Sequence, residues 1–233
     1  MTGASDWRRD VVDRVGGLLV ATLGTRPWAA GGWRWPAASV DQLAEALRDA
    51  MPGLRIIGAV VPRQANRERL SLLGRYAGNP VVVKLGSDGA ATSLATEGRV
   101  LSLLTDRPLP GIETPAVVAH DTIDLGGVPC EFLATSAVGL GAQRAALDAP
   151  LRTFERDLTE RLAPLAPPGR APDDVAVHGD LTPWNLRRTR RGLALFDWES
   201  AGWGHAGSDL THYRAACDAV RPWWSRDGGR TSR

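Results

Sequence analysis

The sequence predicts an α+β protein, with strands concentrated in residues 54–135 and helices more frequent after them. Short apolar runs bounded by Gly and Pro indicate the strands. Longer segments with apolar residues three and four positions apart indicate the helices. The length of 233 residues is sufficient to bury a core in one large domain or two small lobes.

Composition excludes several classes of protein. Hydrophobic residues make up 43% and charged residues 23% of the chain, as in ordinary soluble proteins. A net charge of +2 predicts neither a nucleic-acid-binding surface nor an acidic tail. Cys130 and Cys217 form no disulfide framework, which suits a reducing compartment. The apolar run GGLLVATLG is too short to span a bilayer, so we expect a cytoplasmic protein without a membrane partner.

Residues 1–53 are expected to form an N-terminal helical segment. Apolar residues follow a helical period over residues 6–23. A second helix is predicted from Ser39, where S-V-D-Q matches a capping box, to about Ala50. Pro52-Gly53 then stops it.

Residues 54–135 are expected to form an antiparallel sheet of five strands with one helix. Gly and Pro separate the strands, and a helical apolar period covers the helix. The predicted strands are LRIIGAVV, LSLLGRYAG, PVVVKLG, Thr114–Ala119 and Val128–Thr135, and the helix is Ala90–Leu104.

Residues 136–233 are expected to be mainly helical around the stretch 175–209. Within that stretch, the apolar run before Asp197 predicts a hairpin over Leu186–Phe196. The predicted helices are Ala142–Leu147, Leu151–Leu165 and Asp209–Val220.

The stretch 175–209 carries four polar residues at a specific spacing: His178, Asp180, Asn185 and Asp197. This is the H-x-D-x-x-x-x-N pattern of kinase catalytic loops, followed by an acidic residue after the next hairpin. Phosphoryl transfer needs a carboxylate that orients the attacking hydroxyl, and oxygen ligands for Mg²⁺. The alternative, in which His178 and Asp180 cap a turn and Asp197 is a solvated strand end, does not explain the joint spacing.

The segments HGDLTPWN and LFDWE, followed by a Gly-rich turn and Asp209-Leu210, resemble the aminoglycoside phosphotransferase and choline kinase group. These are small-molecule kinases with a protein-kinase-like fold. The resemblance implies two lobes, a nucleotide-binding N-lobe over 54–135 and a C-lobe over 136–233. It also implies Mg²⁺ as cofactor, ATP or GTP as co-substrate and a small-molecule hydroxyl as acceptor.

The same resemblance implies a role for each residue of the motif. Asp180 is expected to be the catalytic base or orienting carboxylate. Asn185 and Asp197 are expected to bind Mg²⁺. His178 and Asp209 are expected to brace the loop without reacting themselves.

Lys84 is the only lysine among 28 basic residues. A lone lysine in an arginine-rich chain suggests a position that needs a compact ammonium group. The resemblance implies that Lys84 binds the α- and β-phosphates and that Glu97, on the following helix, pairs with it. A lysine retained by chance and an exposed helical glutamate are the alternatives.

Two features depart from the family. The connection PRQANRER lacks G-x-G-x-x-G, and residues 137–177 form a shorter segment before His178 than the family usually has. They leave open an alternative function, a nucleotide-binding pseudokinase or regulatory module without turnover. From residue 141 onward there are 14 arginines and 12 acidic residues, so no strongly acidic pocket for a polycationic acceptor is evident. Trp184 and Trp198 either line the acceptor pocket or pack the loop against the lobe.

Overall fold

The computed structural model describes residues 19–21, 40–61, 69–138, 144–145, 147, 149–189 and 192–227. The chain divides into two compact units. The first comprises Met1–Arg99 and Pro115–Ala137, and the second comprises Val100–Thr114 and Val138–Arg233.

The described residues form four helices and twelve strands. The helices are α1 (Val40–Ala50), α2 (Asp88–Asp106), α3 (Phe154–Leu162) and α4 (Ser208–Asp227). The first six strands are β1 (Leu19–Ala21), β2 (Arg55–Val61), β3 (Arg69–Tyr76), β4 (Asn79–Gly86), β5 (Ile112–Glu113) and β6 (Val117–Asp124). The others are β7 (Pro129–Ser136), β8 (Arg144–Ala145), β9 (Asp174–Val177), β10 (Leu186–Thr189), β11 (Gly192–Leu195) and β12 (Gly202–His205).

The first unit contains an antiparallel sheet in the order β1-β2-β3-β4-β7-β6. The five predicted strands are present as β2, β3, β4, β6 and β7. The strand predicted over Thr114–Ala119 is displaced, since β6 begins at Val117 and continues to Asp124. A sixth strand, β1, pairs with β2, so the helix predicted over residues 6–23 is wrong at Leu19–Ala21. Pairing with an open sheet edge supplies backbone partners that the local apolar period does not reveal. Residues 6–18 and the connection 62–68 lie outside the described part of the chain.

The alternation of β4 places Lys84 on the face opposite the main core of this unit. Val81, Val83 and Leu85 are buried in a cluster with Leu47 of α1. Successive strand side chains point to opposite faces. Since β4 lies between β3 and β7, its backbone is held on both sides. Lys84 therefore projects from an interior strand.

Both predicted helices around this sheet are confirmed. The helix expected to end at Ala50 is α1, and the helix predicted over Ala90–Leu104 is α2. Leu94, Leu101 and Leu104 of α2 are buried, as their helical spacing indicates.

The second unit contains the predicted hairpin, in which β10 and β11 pair from Leu186–Leu195 to Thr189–Gly192. The hairpin belongs to a four-stranded sheet in the order β5-β11-β10-β8, and β9 pairs with β12. The helix predicted over Ala142–Leu147 is wrong at Arg144–Ala145, because these residues pair with β10 as β8. The expectation of a mainly helical segment over residues 136–233 thus omitted three short strands, β8, β9 and β12. The strand β5, which joins the same sheet from residues 112–113, was not predicted either.

The other two helices predicted for this unit are confirmed. The helix expected over Leu151–Leu165 forms α3 and one 3₁₀ turn. The helix expected from Asp209 is α4, which continues beyond Val220. Within the described part of the chain, no helix is both long and apolar enough to cross a membrane.

Candidate active site

Lys84 and Glu97 form an ion pair in the first unit. The Lys84 Nζ atom lies 2.8 Å from Glu97 Oε1 and 2.7 Å from Oε2. Glu97 is only 2% exposed. A buried carboxylate needs such a partner, because leaving it unpaired away from water is costly. The predicted pairing is present, while its role in nucleotide binding stays a prediction.

Gly98, the residue after Glu97, allows α2 to approach β6 closely. A Cβ atom at this position would lie 2.5 Å from the imidazole ring of His120. His120 is itself paired with Glu131, at 2.7 Å between Nε2 and Oε1. Because Gly98 has no side chain, α2 can pack against His120 of β6 at the level where Glu97 contacts Lys84.

The loop of residues 178–185, called the catalytic loop after the sequence motif that it carries, begins where β9 ends. The carboxylate of Asp209 accepts two backbone hydrogen bonds there, from the N–H of His178 at 2.6 Å and of Gly179 at 3.0 Å. Asp209 is 3% exposed and lies in the first turn of α4, where the helix dipole favours negative charge. Asp209 therefore fixes the backbone at the start of the loop.

His178 connects the catalytic loop to the end of the hairpin. Its Nε2–H donates to the carbonyl of Phe196 at 2.9 Å, and its Nδ1 accepts from the backbone N–H of Asp180 at 3.3 Å. The ring packs on Trp198, with centroids 4.6 Å apart. Complete burial lowers the pKa of His178, and the nearby Asp209 charge only partly opposes this. In a protonated ring Nδ1 would carry a hydrogen and could not accept from the Asp180 N–H. The neutral form of His178 therefore fits the site.

Asn185 holds the side chain and the main chain of Asp180. Its Nδ2 donates to Asp180 Oδ2 at 2.9 Å and to the Asp180 carbonyl at 3.0 Å. The nitrogen of the Asn185 amide is used in these two bonds. Its Oδ1 atom is therefore the end that can accept another hydrogen bond or bind a metal ion. The Asp180 side chain is 43% exposed and so is accessible to a solute.

The hairpin brings Asp197 next to Asn185 in register. The Phe196 N–H donates to the Asn185 carbonyl at 3.0 Å, so Asp197 follows directly after the residue that faces Asn185. Asp197 has φ 64° and ψ 60°, a left-handed conformation that few residues other than Gly adopt. Such backbone strain persists only where the surrounding structure imposes it, and it clusters at functional sites.

The two tryptophans differ in environment. Trp198 is fully buried and donates from Nε1 to the Leu195 carbonyl at 3.2 Å, which assigns it to packing. Trp184, on the catalytic loop, is 42% exposed. It presents an apolar surface to solvent four residues after Asp180.

His212 contacts Asp180 but has no place in the sequence motif. Its Nε2 lies 3.5 Å from Asp180 Oδ1. The only signal in the sequence is its position three residues after Asp209, which puts both side chains on one face of α4. A histidine within a helix is too common for that spacing to select it.

The structure thus gathers most predicted residues in one unit. Lys84 and Glu97 pair in the first unit. In the second unit, hydrogen bonds and hairpin register bring together His178, Asp180, Asn185, Asp197 and Asp209.

Comparison with known proteins agrees with this geometry. Residues 129–230 match the model of the phosphotransferase enzyme family, APH. No curated protein matches the chain.

Three solved structures are similar in fold. An aminoglycoside-3'-phosphotransferase of type VIII is 21% identical with a TM-score of 0.50, over 82% of this chain and 93% of that one. A microcompartment-associated aminopropanol kinase is 15% identical with a TM-score of 0.52, over 81% and 78%. An amicoumacin kinase, solved with AMP-PNP and Ca²⁺, is 11% identical with a TM-score of 0.55, over 78% and 70%. The resemblance to the aminoglycoside phosphotransferase group is therefore confirmed, by the family match over residues 129–230 and by an α+β fold like that of these kinases.

Proposed function

We propose that this protein is a phosphotransferase that moves the γ-phosphoryl group of ATP or GTP to a hydroxyl group of a small molecule in the cytoplasm. The observation that carries the proposal is the Asn185–Asp180 contact in a loop whose backbone is fixed by Asp209. The family match over the same region supports it.

Asp180 is the proposed base or orienting carboxylate. Its Oδ2 is engaged by Asn185, so the acceptor hydroxyl donates to Oδ1. The hydroxyl oxygen bonds to the γ-phosphorus, its proton passes to Asp180, and the nucleoside diphosphate leaves. A positioned base of this kind contributes about 10²- to 10⁴-fold in rate.

Asn185 and Asp197 would hold Mg²⁺. The fit rests on their donor atoms: the Asn185 amide is turned so that its oxygen is the remaining ligand atom, and Asp197 supplies a carboxylate from an adjacent, strained position. Carboxylate and amide oxygens are the ligands Mg²⁺ uses in proteins. Bound there, the ion would neutralise negative charge on the phosphates.

Lys84 is the proposed phosphate-binding cation. Glu97 holds its ammonium group through both carboxylate oxygens, which fixes the position of the positive charge. A fixed cation attracts the α- and β-phosphates without losing side-chain entropy on binding. The neighbours of similar fold include kinases named for aminoglycosides and aminopropanol, so we expect a small-molecule acceptor.

The test is transfer of labelled γ-phosphate to a panel of small alcohols, amino alcohols and sugars with Mg²⁺. We expect at least one acceptor to be labelled by the wild type, and transfer by Asp180→Asn to fall about 10²- to 10⁴-fold with nucleotide binding retained. Unchanged transfer by Asp180→Asn would remove Asp180 from its role. Nucleotide binding without transfer to any acceptor would favour the pseudokinase alternative.

A further inference from the structure

The first turns of α4 contact three consecutive residues of the catalytic loop. Asp209 accepts from the backbone of His178 and Gly179, and His212 places its Nε2 3.5 Å from Oδ1 of Asp180. Residues three apart lie on the same helix face, so one side of α4 addresses both the backbone and the reactive side chain of the loop.

The Asp180 carboxylate is consequently contacted from two sides. Asn185 donates to Oδ2 at 2.9 Å, and His212 lies against Oδ1. The terminal torsion of an aspartate is broad and roughly two-fold, so a single contact leaves the carboxylate plane loosely determined. A second contact on the other oxygen determines the plane.

We propose that His212 is a positioning residue that orients Oδ1 of Asp180 towards the acceptor hydroxyl. The inference rests on the proposed function of Asp180. A carboxylate oxygen has two lone-pair sites, so His212 leaves one of them for the hydroxyl.

The contact lies at the surface, where an acceptor arrives. The His212 side chain is 55% exposed and that of Asp180 is 43% exposed. Exposed pairs of this kind contribute little to folding. Loss of His212 should therefore act on the rate of transfer rather than on stability.

Two substitutions of His212, with similar polarity but different length, separate an effect on the rate of transfer from an effect on stability. The terminal nitrogen of glutamine reaches the position of the imidazole Nε2, whereas the asparagine nitrogen stops near the position of Nδ1. His212→Gln should retain function, and His212→Asn should behave like His212→Ala. The matched control is His205→Gln, at an exposed histidine of β12 whose Nδ1 lies 3.9 Å from Oδ1 of Asp174.

The first measurement follows Mg-ATP hydrolysis, with water as the acceptor, together with KM for ATP and the unfolding temperature. We expect kcat to fall about 10-fold in His212→Ala and His212→Asn, since misplacement by about 1 Å costs up to 10²-fold. KM for ATP and the unfolding temperature should not change. The kcat of His212→Gln should stay within about 3-fold of the wild-type value. The kcat of His205→Gln should equal the wild-type value.

A second measurement tests the contact without turnover. In the nucleotide-free protein at one fixed pH, ¹H–¹⁵N spectra of the imidazoles compare the wild type with Asp180→Asn. The resonances of His212, assigned by their loss in His212→Gln, should move, while those of His205 and His120 should not.

The outcomes distinguish this inference from the proposed function. Unmoved His212 resonances, or an unchanged kcat in His212→Ala when Asp180→Asn has lost turnover, would overturn the role of His212 alone. Wild-type turnover in Asp180→Asn would remove the proposed role of Asp180 and this inference with it. No turnover in the wild type with water or any tested alcohol would remove the proposed function itself.

Discussion

The Asp209 carboxylate accepts a 2.6 Å hydrogen bond from the backbone N–H of His178, 31 residues earlier in the chain. Its other oxygen accepts from Gly179 at 3.0 Å. Hydrogen bonds to a charged acceptor are roughly twice as strong as neutral ones. The start of the catalytic loop is thus fixed by α4 and not by β9 alone.

Asp209→Ala should destabilise the protein by at least about 2 kcal/mol, because two N–H groups lose their acceptor and burial makes each costly. Asp209→Asn should cost less, since one carbonyl oxygen remains. Urea unfolding measures both. Asp173→Ala, at an exposed aspartate before β9, should change the free energy of unfolding by no more than about 0.5 kcal/mol. Equal effects at positions 173 and 209 would contradict the bracing role.

Gly179→Ala should destabilise the protein more than Gly169→Ala. Both glycines have positive φ, 80° and 76°, so an alanine at either is strained by about 1 kcal/mol. At Gly179 the added Cβ would also collide with the carbonyl oxygen of Ser200, whereas at Gly169 it meets no described atom within 4 Å. We expect a further loss of about 1–3 kcal/mol at Gly179. Identical unfolding free energies would show that the loop does not pack against Ser200.

The buried His178 should make stability fall in mild acid. Burial lowers its pKa in the folded state, while the unfolded chain has an ordinary value of about 6.5. Below pH 6.5 the unfolded state binds a proton that the folded state does not, so the free energy of unfolding rises with pH. The slope is up to about 1.4 kcal/mol per pH unit, and the loss continues down to the folded-state pKa.

The comparison for this prediction is His178→Gln, which cannot titrate and can still donate to the Phe196 carbonyl. Its unfolding free energy, measured from pH 7.5 to pH 5, should depend less on pH than that of the wild type. Parallel curves for the two proteins would mean that folding does not change the pKa of His178.

Glu97→Gln should weaken ATP binding, because the amide no longer holds the Lys84 ammonium through two charged contacts. A charge-assisted contact contributes about 1.5–3 kcal/mol, which corresponds to roughly 10- to 100-fold in Kd. Calorimetric titration with Mg-ATP gives the value. Arg99→Gln, at an exposed position on the same helix, is the control and should bind normally. An unaltered Kd in Glu97→Gln would separate the ion pair from nucleotide binding.

Local sequence patterns predicted the elements whose stability is local. A local apolar run or period marks five strands of the main sheet, β2, β3, β4, β6 and β7, and the helices α1, α2, α3 and α4. The strands β1 and β8 have two or three residues and form only because a distant edge is available. Their formation depends on pairing that no short window of sequence contains.

The same distinction holds at the site. Spacing alone associated Asp180 with Asn185, which are five residues apart and in direct contact. The partners of Asp209 lie about thirty residues away, so only the family resemblance pointed to them. His212 depends on how α4 packs against the loop, and neither spacing nor resemblance indicated it.

The most direct test of the central claim is the shift in unfolding temperature caused by Mg²⁺ with ATP or GTP. Near 100 times Kd, binding adds about 2.7 kcal/mol, or roughly 5–10 °C for a protein of this size. Each variant is compared with its own nucleotide-free form, so that its intrinsic stability cancels. We expect the shift in the wild type and its loss in Lys84→Met and Asp197→Ala. No shift of the wild type with either nucleotide at millimolar concentration would contradict the phosphotransferase assignment.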